Sequence, residues 1–72
     1  MGQTYMTDGT CTWFDKDSSE HFQSPSNPDE SLYLTESQNW IMETRMSEDG
    51  FYWEEYEHIP TDKALKWIRE QQ

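Results

Sequence analysis

Asp-Gly occurs twice in this 72-residue chain, at Asp8-Gly9 and Asp49-Gly50, each time between runs rich in aromatic, Thr or Met residues. The dipeptide readily occupies the two positive-φ positions of a type I′ turn, so each copy predicts a β-hairpin. Two hairpins commit most of so short a chain to antiparallel sheet. The first is expected over residues 3–15, pairing Thr4-Tyr5-Met6-Thr7 with Thr10-Cys11-Thr12-Trp13-Phe14. A two-residue turn sets Thr7 opposite Thr10, Met6 opposite Cys11 and Thr4 opposite Trp13, with Met6, Cys11, Thr4 and Trp13 on one face. In the second hairpin the same turn sets Met46 against Trp53, Arg45 against Glu54 and Trp40 against Ile59. That register joins apolar to apolar and base to acid, each pair worth a few tenths of a kcal/mol to about 1 kcal/mol. A four-residue loop would oppose Glu43 to Glu54, two like charges.

Residues 16–31 are polar and read as a long loop, its middle pinned by Phe22. Asn27-Pro28-Asp29-Glu30 supplies an N-cap type, Pro at N1 and Glu at N3, which leaves two readings for residues 28–46. A helix there gives only a ragged stripe of Tyr33, Ser37, Trp40, Ile41 and Thr44. Two strands, residues 32–35 and 40–46 about a turn at Ser37-Gln38-Asn39, put Trp40, Met42, Thr44 and Met46 on one face and Glu43 and Arg45 on the other. The strand reading fits better, with a short helical turn near residues 28–31. At the end of the chain Pro60 precedes Thr61 as N-cap and Asp62 in the first turn. Ala64, Leu65, Trp67 and Ile68 then form an apolar stripe, with Lys63, Lys66 and Arg69 facing water. A helix over residues 62–71 follows. Residues 1–72 form one small α+β domain: two β-hairpins in an antiparallel sheet of four to five strands, residues 32–59 holding the second hairpin, with the C-terminal helix packed on the apolar face.

A chain of this length buries only about 60% of its unfolded surface, and such scaffolds commonly lean on a disulfide, a metal or a partner. Cys11 is the sole cysteine, so no internal disulfide forms. Cys11, His21 and His58 are too few nitrogen and sulfur ligands for a structural zinc site. Four Trp, four Tyr and three Phe leave a dense aromatic core, self-association, or both. The formal charge of −10 excludes direct nucleic-acid binding, which needs Lys and Arg clusters, and disfavours anionic membranes. Met1-Gly2-Gln3-Thr4-Tyr5-Met6 carries neither a basic nor an apolar targeting segment, and no apolar run approaches the roughly 18 residues of a membrane span. A cytoplasmic protein with a reduced Cys11 is expected.

Leu32-Tyr33-Leu34-Thr35, Asn39-Trp40-Ile41-Met42-Glu43 and the segment from Tyr56 to Ile68 resemble small uncharacterised bacterial and phage proteins. Those carry a YLT–x–NW hairpin followed by a capped AL–WI helix. Gln38 stands where such sequences often have Gly. In size and acidity the chain is also similar to phage anti-defence proteins, including anti-CRISPR inhibitors that mimic nucleic acid. This resemblance implies a non-enzymatic inhibitor acting by protein–protein contact in a host cytoplasm. Its partner would be a basic nucleic-acid-binding protein, such as a CRISPR effector or another defence nuclease.

The residues offer three chemistries. Catalysis by Cys11 with His21 or His58 has no nucleophile elbow and no Gly-rich oxyanion loop behind it, so no enzyme and no cofactor is expected. Asp15-Lys16-Asp17-Ser18-Ser19-Glu20 begins like a calcium loop, but Glu20 stands at the position needing Gly and Ser26 at the one needing Glu, so no metal is expected. Acidic mimicry is left. Residues 48–57 hold five carboxylates and four aromatics with no Lys or Arg, and residues 29–57 hold nine acids against one base. Residues two apart on a strand lie roughly 6.6–6.8 Å apart, close to the spacing of two base-pair rises of about 3.4 Å along a phosphate backbone. Glu48 and Asp49 at the turn and Glu54, Glu55, Tyr56 and Glu57 along the strand are the expected partner-binding residues, with Tyr52, Trp53 and Tyr56 in place of stacked bases. Trp53 is also a candidate core residue against Met46. The alternatives are that these acids only solvate and guard an edge strand, or that the protein is a homo-oligomeric module, a homodimer paired through sheet edges, or antitoxin-like.

Overall fold

The turns set the architecture, which is seen in a computed structural model that describes residues 2–71. Strands β1 (Gly2–Tyr5) and β2 (Cys11–Phe14) form one antiparallel pair. A 3₁₀ turn over Lys16–Ser18 leads into β3 (Glu20–Gln23), β4 (Glu30–Leu34), β5 (Trp40–Glu48) and β6 (Phe51–Ile59). These four make an antiparallel meander in the order β3-β4-β5-β6. Helix α1 (Thr61–Glu70) ends the chain. The protein is a small α+β fold.

Asp49 and Gly50 both take positive φ, 52° and 84°, as a type I′ turn requires. The resulting register pairs Met46 with Trp53, Arg45 with Glu54 and Trp40 with Ile59, as the sequence predicts. Asp8-Gly9 behaves differently. Only Gly9 is at positive φ, 90°. Gly9 N–H donates to Met6 O at 3.0 Å and Met6 N–H to Thr10 O at 2.8 Å, so residues 7–9 form a three-residue loop. The Asp8 carboxylate favours this longer loop by accepting from both the N–H and the hydroxyl of Thr10, at 3.0 and 2.7 Å. Pairing becomes Tyr5 with Cys11, Thr4 with Thr12 and Gln3 with Trp13, one residue from the expected register. A one-residue slip exchanges the faces. Phe14 and Met6 therefore point inward, while Cys11 and Trp13, expected on the same face as Met6, lie exposed, Trp13 at 71%.

The expected polar loop contains a strand. β3 pairs with β4 from Glu20–Leu34 to Gln23–Ser31. Its alternation is hidden by short length and polar composition, but His21 stacks flat on Tyr33 at 4.7 Å and Phe22 meets Trp40 at 6.0 Å. Asn27-Pro28-Asp29 makes a turn and no helix: Glu30 N–H returns to Asn27 O at 3.2 Å and Asp29 N–H to Asn27 Oδ1 at 3.2 Å. Between β4 and β5 the three-residue loop recurs, with Thr35 N–H on Asn39 O and Gln38 N–H on Thr35 O, each at 2.9 Å. Gln38 there holds φ 67°, the position Gly9 fills in the first hairpin. Pro60, extended and without a side-chain cap bond, is the N-cap of α1, so Thr61 lies inside the helix it was expected to cap.

Both faces of the meander are covered. On one, Met6 and Phe14 of the β1–β2 hairpin pack with Tyr33 and Ile41, flanked by Tyr56, and Phe14 sits edge-on to both Tyr rings. On the other, Leu32 is fully buried, as is Ala64 of α1, and Trp67 Nε1–H donates to Glu30 Oε1 at 3.3 Å. The hydroxyl of Ser24 donates to Gln71 Oε1 just past the helix. Hairpin, sheet and helix are thus three layers. No helix in the described residues is long and apolar enough to cross a membrane.

Candidate interaction surface on the β5–β6 arm

β4 pairs with β5 only as far as Thr44, while β5 and β6 run on together to Glu48 and Phe51. The excess length projects as a two-stranded arm. Arg45 N–H, donating to Asp29 O at 2.8 Å, ties its root to the body. Alternation sorts β6 into two rows: Phe51, Trp53, Glu55 and Glu57 on the helix side, and Tyr52, Glu54, Tyr56 and His58 on the hairpin side. Glu48 and Asp49 are exposed at the tip, and Glu54, Glu55 and Glu57 are exposed along the strand.

The aromatics are less buried than expected. Trp53 is 38% exposed and its Nε1–H donates to Glu55 Oε2 at 3.1 Å, so it is a surface residue beside Met46 and not part of the core. The physical reason is reach: the arm extends past both covering layers. Phe51 and Tyr52 are 75% and 82% exposed. Sequence reasoning passed over Phe51, although its place directly after the Asp-Gly turn puts it at the arm's end. Tyr56 goes the other way. Expected on the binding surface, it is half-buried: its ring packs edge-on to Phe14 and its OH donates to Glu43 Oε2 at 2.7 Å.

That bond belongs to a buried polar cluster which the sequence did not disclose. Glu43 is only 4% exposed. Lys16 Nζ donates to Glu43 Oε2 at 2.5 Å and lies 5.7 and 5.5 Å from the ring centroids of Tyr33 and Tyr56. Burial raises the Glu43 carboxyl, but the hydrogen bonds from Lys16 and Tyr56 outweigh it and hold the group below its ordinary 4.5. Burial lowers the Lys16 ammonium, and its bonding to Glu43 and Tyr56 outweighs that in turn, so Lys16 stays charged well above the usual lysine range. Burial raises the Tyr33 and Tyr56 phenols, and the Glu43 charge adds to both. Lys16, its side chain still half-exposed, is thereby paired with Glu43 and not with the acids of the arm.

Cys11, His21 and His58 do not converge on one site. Cys11 faces out from the hairpin, His58 Nε2 meets Thr12 Oγ1 on its inner side at 3.0 Å, and His21 is stacked on Tyr33. Asp15 accepts from Asp17 N–H at 3.0 Å as the cap of the 3₁₀ turn. Among the described residues, no three His, Cys, Asp or Glu side chains gather in a way that would hold a metal.

A cleft of about 390 Å³ separates the arm from the hairpin, lined by Tyr5, Met6, Thr7, Glu54, Glu55 and Tyr56. At its inner end Thr7 N–H donates to Tyr56 O at 2.8 Å. No protein-family model matches the chain, and no curated protein or solved structure resembles it at a significant level.

Proposed function

We propose that the protein is a non-enzymatic acidic inhibitor that works by protein–protein contact. Its arm occupies the basic DNA- or RNA-binding surface of a nucleic-acid-handling protein, a bacterial defence nuclease in the manner of an anti-CRISPR. The observation that carries this reading is the arm itself: Glu48, Asp49, Glu54 and Glu55 exposed around Phe51, Tyr52 and Trp53, with exposed Glu57 continuing the acidic row onto the body of the sheet. Exposed aromatics at this density supply anchor area at low entropic cost. The carboxylates repel one another until a cationic surface screens them, so a Lys/Arg channel is their complement.

The test is capture of the partner from a host lysate, followed by mass spectrometry. Changing Glu54, Glu55 and Glu57 to Lys moves the formal charge from −10 to −4. The variant is expected to lose the captured partner, and the wild-type complex to weaken steeply as salt rises. Unchanged affinity in the triple variant would sink the proposal. A second reading, a homo-oligomeric module, draws on the exposed Tyr5 and Trp13 of the outer hairpin face, 76% and 71% accessible. It predicts a stable dimer by mass in solution and no basic partner.

A further inference from the structure

The outer edge of β6 is unpaired over the arm. Arg45 N–H points toward β4, so the even-numbered residues of β5 face β6, and in that register odd-numbered residues of β6 receive them. Tyr56 O, directed away to Thr7, obeys the same alternation. Tyr52 and Glu54 therefore present their N–H and C=O groups outward, and among the described residues nothing bonds to them. Proteins commonly guard such an edge with charge, which Glu54 and Glu55 supply. Negative charge guards selectively, however: it repels a second copy of this chain and attracts a basic strand.

We infer that the β6 edge at Tyr52 and Glu54 is a strand-addition site for a basic, extended segment of a partner protein. This rests on reading the arm as a protein-contact surface and specifies how the contact is made. An added strand runs about 4.8 Å from β6 and exchanges bonds with Tyr52 and Glu54, roughly 6.8 Å apart. Its side chains alternate. The residue opposite Glu54 lies on the hairpin side, and the residue opposite Glu55 lies on the helix side next to Trp53, so adjacent Lys or Arg residues meet an acid on each face. Tyr5, exposed and lining the same cleft, is an aromatic available to an Arg guanidinium of the added strand. Thr7 already holds Tyr56 O, so pairing stops there. Self-pairing of two copies would instead set Glu54 and Glu55 among the same acids of a chain with net charge −10.

The probes are a short synthetic peptide carrying an adjacent Arg-Arg pair flanked by Val residues and its counterpart with every peptide nitrogen methylated, equal in charge. Both are titrated into the isotope-labelled protein at low ionic strength. The unmethylated peptide is expected to slow exchange of the Tyr52 and Glu54 amides at least about tenfold, and the methylated one to bind at least about tenfold more weakly. Glu54→Pro removes an outward N–H without touching the β5 ladder, and Glu54→Gln removes the charge alone; the Pro variant is expected to bind at least about tenfold more weakly than the Gln variant. Equal binding of the two peptides, equal binding by the two variants, or no binding of the unmethylated peptide overturns strand addition. The two proposals fail separately. If the triple-Lys variant loses its cellular partner while both peptides bind alike, the arm remains the binding surface and strand addition falls. If the peptide adds as a strand while the captured partner handles no nucleic acid, the functional proposal falls instead.

Discussion

Glu43 shows how much one side chain can conceal. In the strand pattern of β5 it alternates with Met42 and Thr44 and so reads as solvent-facing, yet it is nearly fully buried. Its partners, Lys16 and Tyr56, lie 27 and 13 residues away in sequence, beyond the reach of any local pattern. Glu43→Ala leaves the Tyr56 hydroxyl and a half-exposed ammonium without their acceptor. That is expected to cost about 2–3 kcal/mol in urea unfolding, in line with orphaning buried polar groups. The pH dependence has a definite sign. A carboxyl whose folded pKa lies below its ordinary 4.5 stabilises fully above that value and loses the contribution as pH falls through the folded one. Unfolding midpoints should therefore drop below about pH 4.5 in the wild type, and the drop should be shallower in Glu43→Gln. Gln38 departs from the Gly that similar sequences often carry, yet holds φ 67°, and the loop it ends spans residues 36–38, one residue before the expected turn at Ser37-Gln38-Asn39.

Among the elements, legibility tracked how many local signals agreed. Asp49-Gly50 had a turn preference, apolar pairing and charge pairing all pointing to one register, and that register is observed. Asp8-Gly9 had only the dipeptide, which serves two- and three-residue loops alike, and the Asp8–Thr10 bonds decided for the longer one. β3 escaped notice because four residues, two of them charged or amide-bearing at the ends, show too little alternation to register as a strand. The helix was legible to within a residue at each end, its cap excepted. The arm's aromatic exposure was not, since a strand pattern cannot say where the covering layers stop. Local stability should follow that boundary. Amides in β5 and β6 beyond Arg45 have only one neighbouring strand and no cover, and they are expected to exchange markedly faster than those of Ile41 and Glu43 in hydrogen-exchange NMR. Uniform protection along β5 would mean the arm is held by something other than its own ladder.

For the whole molecule, chain length together with the hairpin and helix patterns predicted one small α+β unit, and the three-layer packing is what gives so small a chain its buried centre. Sequence alone pointed to a helix on an apolar face. It could not show that the opposite face, bearing Glu43, would also be covered, because the cover is a hairpin whose inward face depended on one residue of register. The charge of −10 acts on the molecule in two opposite directions. Self-repulsion opposes the compact state and is relieved by salt, whereas attraction to a basic partner is weakened by it. Added sodium chloride is therefore expected to raise the thermal midpoint by a few degrees while loosening the complex, measured side by side by calorimetry and binding. Among the described residues every strand pairing joins sequence neighbours: β1 with β2, β3 with β4, β4 with β5, β5 with β6. The consequence is kinetic. Each ladder zips from its own turn with little loop entropy to overcome, so the sheet need not await distant segments. The slowest act of folding is then expected to be the closing of the first hairpin onto a finished meander, when Lys16 meets Glu43, and stopped-flow refolding of Glu43→Ala, expected to be slower than wild type, checks it.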